Sequence, residues 1–577
     1  MQVTGSALRQ DTSLTITRES ATGHGGAVAA KMRSAARAGI DILEAGGNAI
    51  DAAVATAFAI GVVEPWMNGL GGGGYLVAWL AREERAIAIE FPMVSPSGVT
   101  PDMFPLAGGV DTGLFGWPRT VDSANVVGYR AIAVPGTVAG LAHAHGRYGS
   151  MRWEDVLAPS IALAEEGTRV TWHTTLTIAK DLTNLKRFPE TARIYLDANG
   201  NPPVTIEQRN PAYLRNPDLA ATLRSLATEG PRAIYEGDLA RSIVSHLQAN
   251  GTPVTADDFA TYDATEVEAT RAEVCGHTVH TIGKGTGGTS LTEAMGIYAR
   301  LDPQADSQGS ADALHKLAHA FRQAFADRFT WLADPSQVEV PIDALLDPGY
   351  LEAKAGRFDP DRVAPVVAGS RDELGVRHTL DGSVPEYMQD GSTTHLGAID
   401  REGNAVSLTQ TLLSGWGSRV TVPGTGILLN NGMMWFDPEP GRPNSIGPRK
   451  RPLSNMAPAL LTRDGAIRAS IGSSGGRKIM NCNAQLLANV AVWEMPMGEA
   501  LAAPRIDGSL RPLVVSSRID PAVREELARR GHPVEIADET LLTADFASPV
   551  AIGRAEDGEL EAAADAWYYP ATAMALA

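Results

Sequence analysis

The residue of this chain best placed for covalent chemistry is a threonine, Thr393, in the stretch Asp390-Gly391-Ser392-Thr393-Thr394-His395. A threonine hydroxyl is a poor nucleophile unless a base sits beside it. A threonine that becomes a chain terminus supplies that base itself. Its free α-amino group has an unperturbed pKa of about 7.7–8.0, suited to proton transfer near neutrality. The pair of hydroxyl and terminal amine is a known form of activated nucleophile. Taken alone, the hexapeptide reads more simply as the start of a strand, where a Thr-Thr pair suits a pleated surface.

The flanking elements place this threonine. Upstream, residues 361–390 carry prolines, glycines and charges without sustained periodicity. Downstream, Thr394–Ile399 reads as a strand, Arg401-Glu402-Gly403 as a turn with Gly at a left-handed position, and Ala405–Thr411 as the returning strand. If Asp400 and Asn404 close the turn, Thr393 falls opposite Thr411.

The chain has 577 residues, 44% hydrophobic and 20% charged, an ordinary globular composition. A net charge of −18 argues against nucleic acid or an anionic membrane as partner. The two cysteines, Cys275 and Cys482, have neither metal-ligand spacing nor a disulfide framework. The first 22 residues are polar, and no apolar run has membrane-spanning length. The expectation is a cytoplasmic protein without cofactor or metal.

Ala27–Lys31 leads into a small-residue helix over 35–44, stopped by Gly46-Gly47, and Asn48 caps a second Ala-rich helix running to about Val62. Gly69–Gly74 leads into a strand, Tyr75–Leu80. This run matches a dinucleotide fingerprint in letters but precedes a strand, so close backbone approach is its expected role. Ile282–Gly288 is a second match, placed between a strand and a helix; the next element is another helix, which weakens a nucleotide reading. Ala131–Val134, Gly424–Asn431, Leu453–Leu461 and Ile467–Ile471 read as strands, and helices are expected over 137–145, 153–166, 237–249, 310–326 and 342–355. Gly472-Ser473-Ser474-Gly475-Gly476 opens a helix over 478–492, and consecutive N–H groups there suit a phosphate or an oxyanion. Strands and helices without a regular βα alternation indicate an α+β fold.

Together these pieces resemble the γ-glutamyltransferase family of N-terminal-nucleophile hydrolases. The resemblance is carried by Gly46–Ala53, Glu64-Pro65 with Gly69–Gly74, Val134–Gly140, Thr393-Thr394-His395, Pro423–Asn431, Lys450–Ser454 and Gly472–Gly476, in the family's order over nearly the whole chain. It implies a four-layer αββα sandwich and a precursor that cuts itself between Ser392 and Thr393. Residues 1–392 and 393–577, roughly 390 and 185 residues, would remain one folded unit, a heterodimer acting on a small-molecule amide. By the same resemblance Thr393 is nucleophile and base, Thr411 hydrogen-bonds it, Gly475 and Gly476 supply oxyanion N–H groups, and Ser454 and Asn455 contact substrate.

Substrate recognition departs from the family pattern. Where the family has Phe-Arg-Glu this chain has Phe91-Pro92-Met93, so Pro92 replaces the carboxylate-binding Arg. The ammonium-binding Asp falls at Trp435, and two further polar positions fall at Leu413 and Gly432. A buried zwitterion without partners costs several kcal/mol, so an apolar or aromatic acyl group fits better. The run Phe436–Arg442 resembles the cephalosporin-acylase-like branch, and Arg419, Arg477 and Lys478 are the cations that could still meet a carboxylate. The competing readings are glutathione-type γ-glutamyl transfer with relocated anchors, and a non-catalytic binding scaffold.

Overall fold

The structure, a computed structural model, describes residues 16–110, 116–376, 392–542 and 545–577. Asp390, Gly391 and the rest of 377–391 lie outside the described residues.

Two seven-stranded antiparallel sheets form the centre. The sheet holding the 393–411 hairpin runs Thr572–Leu576, Gly26–Ala30, Thr394–Asp400, Ala405–Thr411, Gly73–Leu80, Arg85–Phe91, Thr265–Glu268. The second runs Ala21–Gly23, Leu560–Ala564, Ser548–Arg554, Ala466–Ser474, Ala459–Arg463, His277–Thr281, Thr270–Val274. Helices Arg33–Glu44 and Ala49–Val63 cover the outer face of the first sheet, sharing an apolar cluster with Val28, Leu396, Ala398 and Leu408. Helices Gly287–Ala299, Ala311–Trp331 and Lys478–Ala491 cover the second sheet through Val279, Leu461 and Ile471. A third cluster, with Tyr75, Val77, Ile399 and Leu460, fills the space between the sheets. This is the four-layer αββα sandwich. Strands drawn from residues 21–281 alternate with strands from 394–576 across five pairings.

Small residues let the two sheets meet closely beneath the hairpin. Ser407 Oγ donates to the Ile471 carbonyl at 3.0 Å, and Ser470 Oγ returns a bond to the Val406 carbonyl at 2.8 Å. A side chain at Gly397 would begin 2.8 Å from Ser470 Oγ. The Ala-rich helix starts as its sequence dictates: the Asn48 side chain accepts from the Ile50 and Asp51 amides, while Asp51 accepts from the Asn48 amide.

Both glycine runs serve packing. A Cβ on Gly72 would strike the Thr411 carbonyl, and one on Gly73 would lie 2.7 Å from the Met93 amide. In the second run, side chains on Gly285, Gly287 and Gly288 would strike the Ala333, Asn455 and Ile282 carbonyls.

Several elements differ from the sequence expectation, each for a local reason. Gly26–Ala30 is a strand because it pairs on both edges. Ala131–Val134 makes a single bridge, Val94 to Val134, because the Asn430 amide takes over both backbone groups of Ala133, accepting from its N–H at 3.0 Å and donating to its carbonyl at 2.9 Å. Gly424–Asn431 forms isolated bridges to Thr421 and Gly71 only. Of Leu453–Leu461 only the part from Ala459 is strand, since Ser454 bonds away from any ladder. The helix expected over 342–355 is two, Ile342–Leu345 and Pro348–Ala355, because Asp347 before Pro348 leaves helical geometry and caps the second. Among the described residues no helix is long and apolar enough to cross a membrane.

Candidate active site

The hairpin register, Thr394 opposite Gln410 through Ile399 opposite Ala405, sets Thr393 opposite Thr411. Gly403, with φ of 86°, makes the turn that fixes this register. Both hydroxyls converge on one atom, the Ser392 carbonyl oxygen. Thr393 Oγ1 donates to it at 2.7 Å and Thr411 Oγ1 at 2.6 Å, and the two hydroxyl oxygens are 3.4 Å apart. Thr411 Oγ1 accepts from the Leu413 amide at 2.8 Å, which commits its proton to the carbonyl. The Ser392 amide in turn donates to the Leu413 carbonyl at 3.2 Å. Leu413 holds this loop with φ of 95°, a strained value for a branched side chain and the kind of strain that collects at functional sites.

The carbonyl that precedes Thr393 is therefore fixed and polarised, with a hydroxyl oxygen adjacent to it. Thr393 is buried, and it lines none of three surface cavities of about 520, 210 and 500 Å³.

Gly475 and Gly476 end the strand Ala466–Ser474 with φ of 141° and 62°. Gly472 in that strand lies against the His395 ring, leaving no room for a Cβ, so the strand that ends in the glycine turn packs across the sandwich against the strand Thr394–Asp400. His395 Nδ1 pairs with Thr409 Oγ1 at 2.9 Å, and burial pushes the imidazole down to about 3, so it is neutral.

Ser454 and Asn455 are buried in an irregular turn organised by Arg328, a residue the sequence reading did not single out. The Arg328 guanidinium, fully buried, donates to the Ser454 carbonyl at 2.7 Å, Asn455 Oδ1 at 2.8 Å and the Thr286 carbonyl at 3.1 Å. Burial lowers its pKa to about 9. Among the described residues the Asn455 Nδ2 group is buried without a partner, so it can donate to a ligand. Nothing local marks Arg328: it sits within a 21-residue helix, and its partners are remote in sequence. Arg328→Met leaves two carbonyls and an amide oxygen unpaired, so a loss of about 2–4 kcal/mol is expected, readable as a lower urea midpoint.

Leu413 and Trp435 belong with Met93, Ala133, Met433 and Met434 to the apolar cluster between the sheets, and a side chain at Gly432 would meet Ala133 and Met93. Pro92, next to Met93 in the chain, is buried, and its carbonyl accepts from the Tyr262 hydroxyl. Among the described residues the Trp435 indole N–H there is buried without a partner. Of the three cations, Arg419 is committed to Asp181 at 2.6 Å, Arg477 is buried over the Phe329 ring at 5.4 Å, and Lys478 reaches Asp545 at 3.6 Å. None of the three is simply a solvated surface charge.

The chain was compared with known proteins by sequence and by fold. The family model described as gamma-glutamyltranspeptidase matches residues 35–574. The acylase ACY 1 proenzyme of Pseudomonas sp. (strain SE83) is 35% identical over 524 residues, covering 90% of this chain and 89% of its own. The glutathione hydrolase proenzyme of Pseudomonas aeruginosa is 32% identical over 535 residues, covering 89% of each. In fold, the cephalosporin acylase of Bacillus halodurans superposes with a TM-score of 0.80 at 24% identity, over 98% of this chain and 99% of that one. The chain belongs to the γ-glutamyltranspeptidase family of self-processing N-terminal-nucleophile amidohydrolases, and it is a hydrolytic enzyme of that family.

Proposed function

We propose that Thr393 is the nucleophile of two successive reactions. In the first, its hydroxyl oxygen attacks the Ser392 carbonyl carbon, the Ser392–Thr393 C–N bond breaks, and the hydroxyl proton passes to the departing Thr393 nitrogen. The Ser392 acyl group is left as an ester on the Thr393 oxygen, and Thr411 stabilises the oxygen on which negative charge develops. Water then hydrolyses the ester, yielding a Ser392 carboxylate and a Thr393 with free amine and free hydroxyl. The mature enzyme is the heterodimer of 1–392 and 393–577. In the second reaction the amine takes the hydroxyl proton as the oxygen attacks a substrate amide, and the proton leaves with the departing amine. Water, or an acceptor amine, resolves the acyl-enzyme. The observation that carries this reading is the pair of threonine hydroxyls on the Ser392 carbonyl oxygen. Gly475 and Gly476 are assigned the second oxyanion site, from their turn at the end of the strand that abuts His395.

The acyl group preferred is one without the amino-acid zwitterion. Pro92 offers no cation to a carboxylate, and Trp435 offers no anion to an ammonium. Trp435, Leu413, Met433 and Met434 offer apolar area instead, at about 25 cal/mol per Å² buried. A Trp face attracts an ammonium by roughly 0.5–2 kcal/mol, less than a desolvated charge pair. The expected result is a higher kcat/KM on simple acyl- and glutaryl-anilides than on γ-glutamyl-anilide. Combining Trp435→Asp with Pro92→Arg is expected to raise γ-glutamyl turnover, with folding checked by circular dichroism. A wild-type preference for γ-glutamyl would favour the glutathione-hydrolase reading and move the anchors elsewhere.

A further inference from the structure

Lys31 is fully buried and has no role in the chemistry above. It follows directly on the strand Gly26–Ala30, which pairs with the nucleophile strand with Ala30 opposite Leu396. One residue further, the register sets Lys31 opposite His395. Thr393 is then its diagonal neighbour, at a Cα separation of about 7–8 Å. Alternation puts Lys31, His395 and Thr393 on the same face, toward the second sheet. The Nζ group crosses to that sheet and donates to both the carbonyl and the hydroxyl of Ser548. Ser548 pairs with Ser474, the residue before Gly475, and Ala547 is the residue against which a Gly475 side chain would collide. One ammonium thus links the nucleophile strand to the base of the glycine turn.

We infer that Lys31 is a positioning residue for the reaction, fixing an ammonium between the Thr393 strand and the Gly475 turn so that the freed Thr393 amine stays in its neutral, proton-accepting form. The inference rests on the reading of Thr393 as an N-terminal base. A cation on the same face opposes protonation of a nearby amine. The ammonium is carried across to Ser548, and charges roughly 10–12 Å apart in an effective dielectric constant of about 20 shift such a pKa by about one unit. Lys31 is charged over most of the range in which such an amine titrates, since burial brings it down only to about 8. The groups facing it are Glu64 at the end of the Ala49–Val63 helix, Asp565 and Tyr568 beyond the 560–564 strand, Cys482 on the Lys478–Ala491 helix, His395 on the nucleophile strand, and Arg18. His395 is neutral and Cys482 is held protonated by burial. Glu64 opposes Lys31. Burial lifts it to about 7, Tyr568 donates to it at 2.6 Å, and it lies against the Thr394 hydroxyl. As it ionises it raises the amine's affinity for a proton.

The test is kcat/KM against pH on a simple acyl-anilide, for wild type, Lys31→Met, Lys31→Arg and Glu64→Gln, each first checked for the N-terminal sequence Thr-Thr-His-Leu. Lys31→Met is expected to move the acid limb up by about one pH unit, making the variant about tenfold slower below the limb and more nearly equal above it. Lys31→Arg, which keeps the charge, is expected to leave the limb in place, and Glu64→Gln to move it down. An unmoved limb in Lys31→Met, or a rate lowered equally at every pH, overturns the inference while the nucleophile assignment stands. Should Lys31→Met not fold, an unmoved limb in Glu64→Gln overturns it. A wild type that hydrolyses amides without a Thr393 terminus overturns the nucleophile reading and this inference together.

Discussion

Thr393→Ala is expected to remain a single chain under denaturing conditions, while the wild type resolves into two fragments, the smaller beginning Thr-Thr-His-Leu. The alanine variant keeps the fold, because the lost hydroxyl bonds only the Ser392 carbonyl and Thr411, and Thr411 still donates to that carbonyl. It loses both the attack on the Ser392 carbonyl and the nucleophile for substrate. Removing a nucleophile costs up to about 10⁶ in kcat, so turnover falls to background. Thr393→Ser retains a hydroxyl and is expected to cut itself, more slowly, since serine lacks the methyl group that restricts χ1. Gel electrophoresis over a time course, with N-terminal sequencing, reads all three proteins. A wild type that stays intact over long incubation while hydrolysing amides would show that another residue does the chemistry.

Thr411→Val separates the two contributions to self-cleavage. Valine keeps the shape but removes both the donor to the Ser392 carbonyl and the acceptor of the Leu413 amide. Loss of one donor to a developing oxyanion costs about 10²–10³ in rate. The unpaired Leu413 amide adds a stability cost of about 1–3 kcal/mol. The expected result is cleavage slowed from minutes or hours to days in a folded precursor, with Thr411→Ser close to wild type. Equal cleavage rates in Thr411→Val and wild type would assign the polarising role to another group.

The hairpin was legible in the sequence because its information is local. A left-handed glycine, a two-residue period and a fixed turn length set the register without reference to the rest of the molecule. The Ala-rich helix was legible for the same reason, through Asn48 and Asp51. Two buried cations carried no such local signal. Arg328 and Lys31 find their partners across the layers; Lys31 and Ser548 are 517 residues apart. The false strand at Ala131–Val134 had the right composition, but its ladder partner is a side chain, Asn430, nearly three hundred residues away. Propensity describes what a segment could pair with, and only tertiary structure decides whether the partner is a strand.

The alternation of early and late segments across both sheets has a consequence for the life of the molecule. Five strand pairings join residues 21–281 to 394–576, so neither part holds a complete sheet without the other. Before the cut, refolding is an event within one chain and independent of concentration. After it, recovery requires two different polypeptides to meet and interleave strand by strand, each exposing unpaired edges meanwhile. Heat or denaturant that the precursor survives reversibly would scatter the processed protein. Self-cleavage at the proposed site would therefore fix when the chain can be assembled as well as what it can do, and the processed protein would endure by the height of its unfolding barrier.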